Sequence, residues 1–142
     1  MRIAVETSPS EAELVALYDS VQWSGYTKDP AKLARAVAGS HVALTARDDD
    51  GTLIGLARTV SDGESICYVQ DLLVHPAHQG SGIGSALLTQ ILERYADCRF
   101  LALATDAANT LDGERWHRFY RRMGLVLHEE QGLAAFARRI PR

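Results

Sequence analysis

The apolar positions of this chain change period several times, and each change marks an element. Ile3 and Val5 alternate with polar neighbours, which predicts a short first strand. Ser10 stands where a helix N-cap belongs, with Glu13 at the capping-box position. Leu14, Leu17, Tyr18 and Val21 then make one apolar helical face. Asp29-Pro30 opens a second helix, since a capping residue followed by proline suits the first helical position. Leu33, Ala34 and Val37 give its face, and Gly39 ends it.

The period then shortens to two. Val42, Leu44 and Ala46 alternate with polar positions up to the turn Asp48-Asp49-Asp50-Gly51. Residues 52–60 read as the returning strand, Ser61-Asp62-Gly63 as a second turn, and residues 65–74 as a long strand ending in two leucines and a valine. This is an antiparallel meander. Helical spacing returns with Ile83, Leu87, Leu88, Ile91, Leu92 and Tyr95, so a helix is predicted over 84–95. A short apolar strand over 100–105 follows, parallel and adjacent to strand 65–74 in a βαβ unit. Trp116, Phe119, Tyr120 and Met123 give a last helical face closed by Gly124. Residues 125–128 and 133–137 read as a hairpin around Gln131-Gly132. The order is β-α-α-β-β-β-α-β-α-β-β, with no repeat and no linker, and a single domain over 1–142 is expected from the length.

Composition narrows the classes. Apolar residues make up 46% of the chain, enough for a packed core. A net charge of −3 argues against general nucleic-acid binding, which needs a basic surface, although arginines gather between Arg115 and Arg142. No apolar run is long enough to span a bilayer, and Met1 to Glu6 meets a polar residue too soon for a secretory signal. A reducing cytoplasm is therefore expected. Cys67 and Cys98 form no C-x-x-C pair, so no metal site is expected, and both read as small apolar residues.

The stretch Gln79-Gly80-Ser81-Gly82-Ile83-Gly84 carries the most chemistry. It joins a strand to a helix, and its alternating glycines let backbone N–H groups approach a ligand without Cβ obstruction. A helix N-terminus adds donors and partial positive charge, which together suit a pyrophosphate. A Walker A loop needs Gly-Lys-Ser/Thr, and no lysine is present. A dinucleotide fingerprint needs a glycine where Ser85 stands.

The wider string from Leu72 through Val74-His75-Pro76-Ala77-His78-Gln79-Gly80-Ser81-Gly82-Ile83-Gly84-Ser85 to Leu88 resembles motif A of the GCN5-related N-acetyltransferase (GNAT) superfamily, with Gln79, Gly82 and Gly84 at its defining positions. Phe119-Tyr120 ahead of Gly124 is similar to the family's motif B, and the element order matches over nearly the whole chain. The resemblance implies an α+β GNAT fold, a mixed but mostly antiparallel sheet of about seven strands flanked by four helices. It implies acetyl-CoA as cosubstrate, wedged between the fourth and fifth strands. The backbone of Leu72, Leu73 and Val74 would meet the acetyl group and pantetheine arm. The amides of Gln79, Gly80, Ser81, Gly82, Ile83, Gly84 and Ser85 would bind the pyrophosphate.

For acyl transfer, the Leu72 amide is the expected oxyanion donor; the resemblance places Tyr120 beside the CoA sulfur as the expected general acid, where helical spacing alone reads a core aromatic. Relatives often carry a glutamate or histidine base on the fourth strand. The matching positions here are Tyr68 and Gln70, neither a good base near neutral pH, so either would orient a water through which the ammonium loses its proton. Asp71 is expected on the opposite face unless a one-residue bulge turns it inward. His75, His78 and His117 read as loop or surface histidines, and Asp106 and Asp112 as solvated acids. Trp23 and Tyr26, between the first two helices, would either wall the acceptor pocket or pin the loop to the core.

A small primary amine is the expected acceptor, with a peptide N-terminus or lysine next. The alternatives are a non-catalytic acyl-CoA sensor and a toxin that acetylates aminoacyl-tRNA, which the overall acidity disfavours. A homodimer, common among relatives, is compatible with the resemblance.

Overall fold

In the computed structural model, which describes residues 1–140, local capping decides where the first helices start. After the strand β1 (Arg2–Val5), Ser10 Oγ accepts the Glu13 N–H at 3.1 Å and the Glu13 carboxylate accepts the Ser10 N–H at 2.9 Å. This reciprocal pair satisfies two donors that a helix start leaves open, and α1 (Glu11–Ser20) follows. A single helical turn, α2 (Ser24–Thr27), occupies the connection that the sequence pattern leaves as loop. The Asp29 carboxylate accepts the Lys32 N–H at 3.1 Å and begins α3 (Pro30–Ala38).

The remaining elements of this part are β2 (Val42–Arg47), β3 (Leu53–Ser61), β4 (Ile66–Val74), a 3-10 turn (Pro76–His78), α4 (Ile83–Arg94) and β5 (Phe100–Leu103). Five strands form one sheet in the order β1-β2-β3-β4-β5. The first three pairings are antiparallel, and β4 pairs with β5 in parallel through the α4 crossover. The sheet is mixed and mostly antiparallel, but it has five strands among the described residues rather than the expected seven.

Both faces of this sheet are covered. Leu14, Leu17 and Tyr18 of α1 join Leu33 and Val37 of α3 against Ala43, Leu56 and Leu73. Burying a leucine of this kind contributes about 1.5–3 kcal/mol. On the opposite face α4 comes so close that a Cβ added to Gly55 would lie 3.2 Å from Ile83 and 3.3 Å from Leu87. A side chain there would force strand and helix apart, so Gly55 sets their spacing.

Residues 1–104 and the residues from Thr105 onward form two compact units, and each is described by itself. In the second, Thr110 Oγ1 accepts the Gly113 N–H at 2.9 Å and starts α5 (Leu111–Arg122). A Cβ on Gly113 would sit 1.9 Å from the Ala107 carbonyl oxygen, so only glycine fits. The expected hairpin over 125–137 is absent. A 3-10 turn (His128–Gln131) takes its centre, and Gly132 closes that turn at φ 78°. The Leu133 N–H bonds back to the His128 carbonyl at 2.9 Å, and Arg121 pairs with Glu130. These local bonds take the place of a strand ladder. The alternating apolar residues stay outside, with Leu133 and Phe136 exposed.

Arg47 ties β2 to the chain entering α1. Its guanidinium meets Glu6 at 2.7 Å and Glu13 at 2.7 Å. Hydrogen bonds from Arg47, and from the Ser10 N–H, bring the Glu13 carboxyl down to about 2, and Arg47 lowers Glu6 as well. Their folded values lie below the usual 4.5, so this contribution is present above about pH 4.5 and is lost as the pH falls toward 2. The urea midpoint is expected to drop through that window, and to drop less in Arg47→Met, which has no such pair to lose.

Candidate active site

The fork in the sheet is the first feature of the site. β5 pairs with β4 only from Ile66 to Val69, while β4 runs on to Val74. The His75 N–H bonds to the Ile54 carbonyl at 2.8 Å, which sets the phase of the β3–β4 ladder. In an antiparallel pair, bonded and non-bonded residues alternate. Leu72 and Val74 therefore turn their N–H and C=O groups away from β3, toward the side on which β5 has ended. Gln79 Nε2 donates to the Val74 carbonyl at 3.0 Å on that side.

The loop after β4 is held by its own bonds. His75 Nδ1 accepts the Ala77 N–H at 3.1 Å, Ser81 Oγ donates to the His78 carbonyl at 2.5 Å, and the Gln79 N–H donates to Pro76 at 3.3 Å. The Gln79 amide, which the motif assigns to pyrophosphate, thus serves the loop's own turn. Gly80 and Gly82 have φ of 83° and 87°, in the left-handed region. A Cβ on either would meet nothing within 4 Å, so these glycines are required by conformation and not by crowding. Gly82 caps α4 without a side-chain bond, and the first helical bond runs from the Ala86 N–H to the Gly82 carbonyl at 3.0 Å. The N–H groups of Ile83, Gly84 and Ser85 precede it and have no partner within the helix, an arrangement suited to an anion.

The third feature is a β-bulge. Arg58 pairs with Asp71 and Thr59 with Val69, so Gln70 has no partner on β3. Gln70 and Asp71 consequently meet the same group, the Tyr26 hydroxyl. Gln70 Nε2 donates to it at 2.9 Å, and it donates to Asp71 Oδ1 at 2.8 Å. Asp71 is 3% exposed, and its Oδ2 accepts from Tyr18 at 2.8 Å and from Arg58 Nε at 2.5 Å. Burial first, then the Asp71 charge, holds the Tyr18 and Tyr26 phenols above their ordinary value. Trp23 lies 6.3 Å from Tyr26 and 6.0 Å from Tyr18, ring to ring. The structure therefore brings Gln70, Tyr26 and Trp23 together. Tyr68 is half-buried two residues earlier, flanked by Val60 and Ala102 on the neighbouring strands. Sequence reasoning missed Arg58 and Tyr18. The available signal was one charge inside each of two neighbouring apolar strands, Arg58 beside Leu56 and Asp71 beside Leu72.

In the second unit Tyr120 lies on α5, stacked on Trp116 at 6.1 Å and edge-on to Phe119 at 5.2 Å. Burial pushes its phenol up to about 12, so it keeps its proton at neutral pH. His117 Nε2 lies 2.9 Å from the Asp106 carbonyl. Cys67 is buried and its thiol is pushed up to about 11 by that burial, so it is no nucleophile. Among the described residues no group of three or more His, Cys, Asp or Glu side chains is placed to hold a metal ion, and no helix is long and apolar enough to cross a membrane.

A mixed sheet forked beside an uncapped helix start defines the acyl-CoA N-acyltransferase fold. The profile of the acetyltransferase (GNAT) family matches residues 6–125, and the chain belongs to that family. It is 30% identical to a GNAT-family acetyltransferase of Streptococcus pneumoniae TIGR4, with a TM-score of 0.82 over 99% of this chain and 98% of that one. It is 27% identical to an uncharacterized N-acetyltransferase of Porphyra purpurea over 80% of this chain and 63% of that protein. It is 39% identical to a mycothiol acetyltransferase of Stackebrandtia nassauensis over 49% of this chain and 22% of that protein. The chain thus spans less than two thirds of these curated relatives.

Two stability outcomes follow from this geometry. Gly82→Ala is expected to cost about 1–2 kcal/mol in a denaturant titration, because an L residue is strained in the left-handed region. Asp71→Ala leaves Arg58 buried and unpaired and is expected to cost about 3–5 kcal/mol. The double variant Arg58→Met/Asp71→Leu is expected to recover most of that loss.

Proposed function

We propose that this chain is an acetyl-CoA-dependent N-acetyltransferase whose acceptor is the primary amine of a small molecule, with a peptide amine as the next class. The observation that carries this reading is the outward-turned Leu72 and Val74 edge of β4, beside the uncapped start of α4. A pantetheine arm has an unfilled ladder edge to bond, and a pyrophosphate has the amides from Gly80 to Ser85.

In this mechanism the amine nitrogen, having lost a proton, attacks the thioester carbonyl carbon. The Leu72 N–H stabilises the oxyanion. The C–S bond then breaks as the tetrahedral intermediate collapses: the departing thiolate takes the Tyr120 proton, the nitrogen gives up its second proton, which returns through water to the Tyr120 oxygen, and the amide is released. That role for Tyr120 rests on the motif resemblance and suits a phenol that stays protonated. Asp71, the carboxylate at the bulge, is committed to Arg58, so the ammonium proton leaves through a water held by Gln70 or Tyr68.

The committed Asp71 also favours a second reading, a non-catalytic acyl-CoA sensor. Free-thiol release from acetyl-CoA against a panel of amines separates the two. The enzyme reading expects amine-dependent release that falls about a hundredfold or more in Tyr120→Phe. Tight CoA binding with no release for any small amine, peptide or protein acceptor supports the sensor.

A further inference from the structure

We propose that Asp71 sets the direction of the Tyr26 hydroxyl proton, and that this makes the Tyr26–Gln70 surface a hydrogen-bond-accepting subsite for a primary amine. The inference deepens the acyltransferase reading by naming how the acceptor is recognised.

The argument is one of donors and acceptors. An ionised carboxylate only accepts. Asp71 is paired with Arg58 at 2.5 Å, so both phenols that touch it, Tyr18 and Tyr26, must donate inward. Tyr26 then has only lone pairs left. Gln70 can meet it only with its NH2 end, as the 2.9 Å Nε2 contact has it. The Gln70 Oε1 and the remaining Tyr26 lone pair are therefore acceptors, and Gln70 is exposed. One buried anion thus determines the polarity of two groups nearer the surface.

Charge supports the same ligand. Arg58 neutralises Asp71, and its guanidinium carbon lies 5.8 Å from the centre of the Tyr26 ring. The subsite offers lone pairs without a bare carboxylate. An ammonium can be held there by its N–H donors and still give up a proton, whereas a bare anion would stabilise its charge and hold that proton in place. Gln70 is the bulged residue and stands two positions from Leu72, so the subsite adjoins the proposed acyl position. Asp71, Arg58 and Tyr18 act through Tyr26 and are positioning residues.

The test is an NMR titration of the full chain, without CoA, using benzylammonium and benzoate as probes. Benzylammonium is expected to shift the Gln70 side-chain amide and the Tyr26 ring signals, and to bind more tightly than benzoate. Tyr26→Phe, which leaves the Arg58–Asp71 pair intact, is expected to weaken benzylammonium about tenfold and to leave benzoate unchanged. Asp71→Asn, which lets Tyr26 turn its proton outward, is expected to narrow the preference for the cation, and to narrow it no further when added to Tyr26→Phe. Equal binding of the two probes in the wild type overturns the proposal. So does benzylammonium affinity that is untouched by Tyr26→Phe, or an Asp71→Asn effect that persists in the Tyr26→Phe background. If Asp71→Asn fails to fold, the Tyr26→Phe comparison decides alone. A chain that binds benzylammonium in this way but binds no acetyl-CoA refutes the acyltransferase reading and leaves the subsite standing.

Discussion

The buried ion pair between Arg58 and Asp71 is the constraint on which the candidate site depends. Two charges taken out of water are costly unless each finds its partner and its hydrogen bonds. Arg58 on β3 and Asp71 on β4 find each other across the ladder, and Tyr18 and Tyr26 fill the remaining carboxylate positions. The pair therefore joins two strands to α1 and to the short turn of α2. It sits where β4 carries its extra residue, so the irregularity that re-aims Gln70 is braced by a buried ion pair.

From the same strand the geometry passes to the fork. Past Val69, β4 has β3 on one side and no β5 on the other. The backbone groups of Leu72 and Val74 are polar atoms on an edge that the fold does not fill, and Gln79 reaches back to cover one of them. A glycine-rich loop with left-handed turns at Gly80 and Gly82 then delivers the chain into α4 with its first amides uncapped. Strand edge, loop and helix start are consecutive in sequence, which is why one short motif holds so much of the proposed binding chemistry.

Much of this was legible in the residues alone. The capping box at Ser10, the Asp29-Pro30 start, the meander and the α4 crossover all follow from short-range rules, and they appear within a residue or two of expectation. Where local rules compete, reading failed. Residues 125–137 have strand-like alternation, but Gly132 in the left-handed region and the backbone bond from Leu133 to His128 favour a tight turn. The turn Ser24–Thr27 has no amphipathic pattern and is too short to show one.

By itself, the sequence determined the order of elements from β1 to α5 apart from the short α2, the glycine-rich turn of residues 79–85 and the family resemblance, because these rest on periodicity, caps and glycine conformation within a few residues of each other. The environment of Asp71 was decided only by the tertiary structure. Strand alternation assigned it to the far face, and whether a bulge intervenes depends on pairing with a strand more than ten residues away. The same holds for Tyr18, which reads as an ordinary apolar face residue until Asp71 is placed beside its hydroxyl. Long-range pairing has no local signature, because the free energy that selects it arises only when distant charges and phenols are desolvated together.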